Sequence, residues 1–295
     1  MEDRGLPKRI YHYTSAEGLH GILSSGTLYF TDSLFLNDRN ERKNFYLTLK
    51  EYLLHSDLDP LFRDVVLDRY FGENDYITRQ LQATDPAEAG ASRYFILSFS
   101  KDRDSLPMWN YYARNIHAAG YNIHFDTKEL IRQLKRHPLV CQLKSRRAPV
   151  LYRDVVYDQT RKVEELSQML YQIQGCFKQA PLRAEFFRRM DDMFEEMSLF
   201  YKDSAFSHER EVRIVVTTDN GHVHKFDAAA YQFRNVCGIQ VPYLAINVLE
   251  KGKTITGVTA GPALAKEMAV NGVEYLLHSF GFPETCKVSS VPLRY

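Results

Sequence analysis

Hydrophobic periodicity changes step twice along this 295-residue chain, and that change restricts the folds open to it. Towards both ends, apolar and polar residues alternate, the period of a strand with one face buried. In the middle they recur every three or four residues, the period of a helix. Strand-like stretches are Leu28-Tyr29-Phe30, Tyr94 to Ser100, Gly120 to Phe125, Val150 to Tyr157, Glu211 to Thr217, Tyr243 to Val248, Thr254 to Val258 and Lys287 to Leu293. Helical spacing links Val163, Leu166, Leu170, Ile173 and Phe177, and again Phe186, Met190, Met193, Phe194, Met197 and Phe200. Strands at both ends with helices between them predict one α+β domain over 1–295 with a helical insertion near 160–203.

Local punctuation agrees with this pattern. Thr14 and Glu17 have capping-box spacing before Leu19, Ile22 and Leu23, and Gly26 can end that helix. Asp126 with Glu129 predicts a cap for a helix reaching Arg136. Two polar-faced helices are expected near 40–55 and 59–71, a loop or weak helix over 72–92, and a helix from Gly261-Pro262 to about Val270. Gly221, His222 and His224 read as a turn, and Tyr201-Lys202-Asp203 as a connector, with an acceptor-recognition loop as the alternative.

Composition removes several classes of function. Lys plus Arg number 38 and Asp plus Glu 37, a net charge of +1 that excludes a globally basic nucleic-acid coat. No apolar run approaches the roughly 18–20 residues that span a bilayer. Met1 to Lys8 has no apolar signal-peptide core, so the expectation is a cytoplasmic protein without membrane attachment. Cys141, Cys176, Cys237 and Cys286 are widely spaced and predict reduced, mostly buried thiols. The histidines show no HExxH or similar pattern, so no metal site is expected. Tyr and Phe total 37 against one Trp, which suits half-buried rings in sheets and clefts. Charge is uneven locally: Arg132 to Arg153 carries seven Lys/Arg and no acid, a solvated surface or a phosphate-binding one.

Three segments carry side chains suited to chemistry. Tyr11-His12-Tyr13-Thr14 places a His and rings at a strand-to-helix junction, where helix N–H groups face anions. Leu97-Ser98-Phe99-Ser100 sets two hydroxyls on one face of a strand. Glu209-Arg210-Glu211-Val212-Arg213, at a strand start, sets two carboxylates and a guanidinium on one face, as a site or as a charged, solvated edge.

These segments, with Leu36-Asn37-Asp38, Glu41, Trp109 and the ending Ser290-Val291-Pro292-Leu293-Arg294, resemble a widespread bacterial domain family of unknown function, in order over nearly the whole chain. His208, Val212 and Arg39 stand where that family usually has Tyr, Trp and Pro. The family in turn resembles the ADP-ribosyltransferase superfamily. That resemblance implies an ADP-ribosyltransferase-like split β-sheet core and NAD as substrate. It implies His12 hydrogen-bonded to the NAD ribose, Tyr13 stacked on nicotinamide, and Ser98 and Ser100 bracing the nicotinamide pocket. Glu211 becomes the catalytic carboxylate and Glu209 the group that orients an acceptor. Thr14, Asn37, Trp109 and Arg213 complete the cofactor-binding set.

The implied protein is a bacterial toxin, effector or antiphage enzyme that transfers ADP-ribose to a macromolecule, either protein or nucleic acid. Two other readings stand beside it. One is a catalytically inactive nucleotide- or protein-binding module of the same fold. The other is a nucleic-acid-directed enzyme that uses the basic 132–153 segment. The oligomeric state is open.

Overall fold

The computed structural model describes residues 7–36, 39–72, 93–113, 120–142, 149–179, 184–218, 231–262 and 265–292. Among them are ten strands: β1 (Arg9–Thr14), β2 (Thr27–Asp32), β3 (Arg93–Ser100), β4 (Tyr121–Asp126), β5 (Val150–Asp154), β6 (Glu211–Thr218), β7 (Tyr231–Val236), β8 (Ile239–Asn247), β9 (Ile255–Ala260) and β10 (Cys286–Val288). The longer helices are α1 (Ala16–Ser25), α2 (Arg39–His55), α3 (Pro60–Phe71), α4 (Thr127–Arg136), α5 (Pro138–Gln142), α6 (Gln159–Gln179), α7 (Ala184–Ser198) and α8 (Lys266–Ser279). The fold is a mixed α+β arrangement.

The strands form one mixed sheet in the order β10-β9-β4-β1-β3-β2-β8-β7, with β6 and β5 attached through β3. Only β9 and β10 run parallel among these pairs. β3 is the branch point. One of its edges pairs with β6 from Arg93↔Thr218 to Ser100↔Glu211. The other edge pairs with β2 at Phe95 and Ile96, and with β1 at Ser100. Between those contacts the Leu97–Phe99 edge has no strand beside it, so the β1 and β2 branches part and leave an opening.

Two main cores flank this plan. Alternate residues of the strands, including Phe95, Leu97, Phe99, Val212, Ile214 and Val216, bury one sheet face against α1, α4 and α8. A second core joins α2, α3, α6 and α7, through rows such as Phe45-Leu49-Leu53, Phe62-Val66-Tyr70 and Leu166-Leu170-Phe177. The helical layer is therefore not the 160–203 segment alone. The apolar faces of α2 and α3 need a partner and find it in α6 and α7, which lie far away in sequence. Acids inside this layer are paired: Asp191 with Arg69 and Tyr70, and Glu195 with Arg42 and Tyr46. An unpaired carboxylate there would cost several kcal/mol, on the order of 3–5.

Most local expectations hold, with shifts that have physical reasons. Asp126 caps α4 by accepting from the Glu129 amide, and Gly26 ends α1 at φ 68°. The N-cap of α1 is Ser15 rather than Thr14, because Thr14 is still paired to Tyr121 in the sheet. α8 starts at Lys266, after Gly261, whose amide donates to the Gly120 carbonyl and prolongs the β4–β9 contact; it runs on to Ser279 so that Val273 and Leu277 reach the core. The last strand is shortened to Cys286–Val288, since Ser289 and Ser290 turn to bind Asp104. Cys141, Cys176 and Cys237 are exposed and only Cys286 is buried, which overturns the expectation of mostly buried thiols. Most of the 72–92 segment and the Gly221-to-His224 turn lie outside the described residues. No helix among the described residues is long and apolar enough to cross a membrane.

Two glycines test this packing in opposite senses. A Cβ on Gly120 would fall 1.9 Å from the Ala113 carbonyl oxygen, so backbone must move. A Cβ on Gly175, exposed within α6, would meet nothing within 4 Å. In urea denaturation, Gly120→Ala is expected to destabilise by about 2 kcal/mol or more, and Gly175→Ala to stabilise by about 0.5–1 kcal/mol.

Candidate active site

The opening at β3 widens into a cleft of about 980 Å³, lined by β1, the start of α1, β2, β3, the 204–209 turn, β6 and β7. Its floor is a four-membered charge cluster. Glu209, Glu211, Lys202 and Arg213 are 4, 5, 6 and 2% exposed. Lys202 Nζ donates to Glu209 Oε2 at 2.6 Å and to Glu211 Oε2 at 3.2 Å. Arg213 Nε donates to Glu211 Oε1 at 2.7 Å and its Nη2 to Glu211 Oε2 at 3.1 Å, while Nη1 holds the Leu199 carbonyl at 2.5 Å. Two carboxylates and two cations give a formally neutral set, which is what makes burial of four charges tolerable.

The two glutamates converge, but not by strand alternation. β6 begins only at Glu211, and Glu209 ends a 3₁₀ turn, Ser204–Glu209, capped by Asp203. Arg210 between them is left-handed, with φ 45° and ψ 49°. This sparsely populated conformation turns the chain so that both carboxylates reach Lys202. Arg210 is held by Asp102 at 2.5 Å, and Ser100 Oγ donates to the Glu209 carbonyl at 2.7 Å. Arg213 does share a face with Glu211, two residues along the strand, as expected.

Electrostatics follow from this wiring. Burial by itself raises the Glu211 pKa. The charges of Arg213 and Lys202, with hydrogen bonds from Arg213 and Ser98, outweigh it and hold the value at about 2. The His12 pKa is also lowered, here by burial, against the opposing hydrogen bond of the Ser98 carbonyl and with the positive charge of Arg234 adding to the shift, so that its neutral form is favoured. His12 Nδ1 lies 3.1 Å from that carbonyl oxygen. A carbonyl only accepts, so Nδ1 carries the proton and the neutral ring keeps Nε2 as an acceptor. His12 thereby satisfies a carbonyl on the stretch of β3 that has no strand beside it.

The sequence-selected residues fall into three groups. His12, Thr14 and Ser98 line the cleft, as do Glu209 and Glu211. Register puts Ser98, Ser100, Glu211 and Arg213 on one sheet face and His12 on the other, beside Phe99; the gap between β1 and β2 lets both faces meet one cleft. Ser100, Arg213 and Tyr13 also line it but their polar groups are committed to the protein. Ser100 Oγ serves Glu209 and the Asp102 amide, and the Tyr13 hydroxyl donates to the Asp102 carbonyl and accepts from the Ser105 amide. The Tyr13 ring, expected as a stacking surface, packs edge-on against Trp109 at 4.7 Å. Trp109 itself is buried, bonds Asp104, and is not part of the cleft lining; it props Tyr13. Asn37 lies outside the described residues.

Several contributors were not picked out from the sequence as site residues. Lys202 was read as part of a connector, yet it is the hub. Its own carbonyl accepts from buried Lys162 Nζ at 2.7 Å, which ties it to α6. Tyr112, half-exposed at the cleft mouth, donates to Glu209 Oε1 at 2.6 Å, and Phe206 lies under Lys202 with its ring centre at 5.1 Å. Tyr157 accepts from the Glu211 amide at 3.0 Å. The basic 132–153 segment is largely engaged where it is described: Arg132 pairs with Glu129 and Glu250, Lys135 sits over Tyr152, and Arg153 pairs with Glu165. Lys144, Arg146 and Arg147 lie outside the described residues. No group of three or more His, Cys, Asp or Glu fit to hold a metal occurs among the described residues.

The cluster makes two measurable demands. Glu211 has a depressed folded pKa, so its contribution is full above the ordinary glutamate range and is lost as pH falls towards about 2. Wild type is therefore expected to lose roughly 3 kcal/mol through this group on acidification, and Glu211→Gln to lose correspondingly less in denaturation across the same pH range. Lys202→Met leaves two buried carboxylates short of a cation and is expected to cost about 3–5 kcal/mol at pH 7. That deficit should shrink at pH 5, where protonation of one carboxylate relieves it; a deficit independent of pH would contradict the wiring.

Residues 108–214 match the model of a family described as a protein of unknown function, DUF2971. The matched segment holds Trp109, Lys202, Glu209, Glu211 and Arg213, but not His12 or Ser98. No curated protein and no solved structure matches the chain.

Proposed function

We propose that the cleft binds NAD and that the chain is an ADP-ribosyltransferase acting on a macromolecular acceptor, protein or nucleic acid. The observation that carries this reading is that His12, Ser98 and Glu211, on the adjacent strands β1, β3 and β6, line one cleft together with Glu209 of the turn before β6. Two strand spacings amount to about 10 Å, the reach of one bound ribose and its contacts. The branched sheet, open beside Leu97–Phe99, is the feature that supports an ADP-ribosyltransferase-like split core.

In the reaction, the bond between ribose C1′ and the nicotinamide nitrogen breaks. Its electron pair stays on nicotinamide, and positive charge develops on the ribose. Glu211 stays anionic at any physiological pH and is held rigid by Arg213, so its charge is in place before the transition state forms. Neutral His12 offers Nε2 to a ribose hydroxyl. Tyr112 and Phe206 supply the exposed rings beside Glu209 that Tyr13 does not, and nicotinamide fits against them. The acceptor nucleophile then bonds to C1′ and gives up its proton near Glu209.

Incubation with NAD labelled in the adenylate part is expected to transfer label to an acceptor or to release nicotinamide. Glu211→Gln should lower the rate about 100-fold or more while leaving NAD binding intact. Absence of both NAD binding and NAD turnover would refute the reading.

One observation favours a second reading. Both Glu211 oxygens already accept from Arg213 and Lys202, an arrangement that suits a fixed structural charge. A nucleotide-binding module without turnover follows from it. That version predicts thermal stabilisation by NAD with no nicotinamide released.

A further inference from the structure

The cleft has a second end, lined by β2 and by Arg234 of β7, with β8 between those strands. Thr31 pairs with Tyr243, and Tyr243 with Gln232, so side chains two residues along from these share the same face. Arg234 crosses the Tyr243 ring, with 5.8 Å from its guanidinium carbon to the ring centre, and its Nη2 donates to Thr31 Oγ1 at 2.8 Å. Tyr29, 44% exposed, lies against Tyr243 with ring centres 4.4 Å apart. Thr31 pairs with Ile96 on β3, so this wall lies on the same sheet face as Ser98 and Glu211.

The three cations that line the cleft are unequal. Lys202 and Arg213 are balanced by Glu209 and Glu211. Arg234 is exposed and has no carboxylate partner among the described residues; its recorded contacts are a hydroxyl and a ring. A guanidinium held by a neutral hydroxyl and laid on an aromatic face keeps its full charge and leaves part of its donor fork open. The cleft is therefore asymmetric, with a neutral set of ion pairs at one end and, at the other, a cation that has no carboxylate partner among the described residues. Strand spacing and rise put Thr31 and Glu211 about 15 Å apart along the sheet, so a ligand that touches both ends is extended.

We infer that Arg234, set by Thr31 and Tyr243, is the phosphate-binding subsite of this cleft, and that the exposed Tyr29 ring beside it, backed by buried Tyr243, is the stacking surface for a nucleobase. The ligand class is a nucleoside diphosphate or a dinucleotide built on one. Its anionic centre meets Arg234, and in the dinucleotide the second ribose reaches Glu211. The inference deepens the reading of the cleft as an NAD site and rests on it for the orientation of the ligand, but phosphate capture at Arg234 does not require turnover.

The test is calorimetric titration of the full chain with ADP, with adenosine and with NAD. Wild type is expected to bind ADP, and Arg234→Ala to weaken it at least tenfold. Arg234→Lys should fall between the two, because an ammonium lacks the planar fork. Adenosine carries no phosphate, so its binding should be equal in wild type and Arg234→Ala, which also shows that the variant is folded. Tyr29→Ala should weaken adenosine and ADP alike. ADP binding that is absent, or equal in wild type and Arg234→Ala, overturns the subsite. If ADP binds through Arg234 while NAD is neither bound nor cleaved, the subsite stands and the NAD reading falls. If NAD is cleaved with a KM unaffected by Arg234→Ala, the subsite falls and the NAD reading stands.

Discussion

The ammonium group of Lys202 between Glu209 and Glu211 is the contact on which the rest of the site depends. Two carboxylates cannot be buried side by side uncompensated; one would protonate or the chain would open to water. Lys202 and Arg213 remove that obstacle together. Arg213 closes a two-point bond to Glu211 from within β6, and Lys202 arrives from the chain before it. The result is a pair of ionised carboxylates fixed at the bottom of a cleft within a neutral set of buried side chains.

That arrangement explains why the helical layer belongs to the site. The Lys202 carbonyl is gripped by Lys162 of α6, whose Nζ also binds Asn44 of α2, and the Tyr201 hydroxyl donates back to the Lys162 carbonyl at 2.7 Å. Lys162 is itself buried, and burial lowers its pKa against the opposing pull of Asp203 and Asp158. A shift of α6 or α2 would move Lys202 directly. The sheet supplies Ser98, Glu211 and Arg213; the helices fix the cation that lets the carboxylates coexist.

Much of the fold was legible because its signals are local. Asp126 caps the helix it was expected to cap, and the alternation of Phe95, Leu97 and Phe99 gave the buried face of β3. What failed was non-local. The stripes of α2 and α3 declared that each helix had a partner, but no residue within them named α6 and α7. At the site, Glu209 and Glu211 were recognised as a pair, but for a reason the structure replaces. A left-handed Arg210, not a strand period, brings them together, and nothing in the identity of an arginine announces a positive φ. Lys202 was hidden because its role depends on the 204–209 turn folding back seven residues later. Trp109, which the resemblance places among the cofactor contacts, packs in a core cluster with Tyr13, Met108 and Ala113, since a lone indole serves a core as readily as a cleft.

The claim at the centre of this account is that a dinucleotide lies along the cleft with its nicotinamide ribose at Glu211. A crystal structure of the chain with a non-cleavable NAD analogue tests it most directly. A ribose hydroxyl is expected within hydrogen-bond distance of Glu211, with nicotinamide beside Ser98 and Tyr112. An analogue bound elsewhere on the molecule, or in this cleft with its nicotinamide end turned away from Glu211, would contradict it.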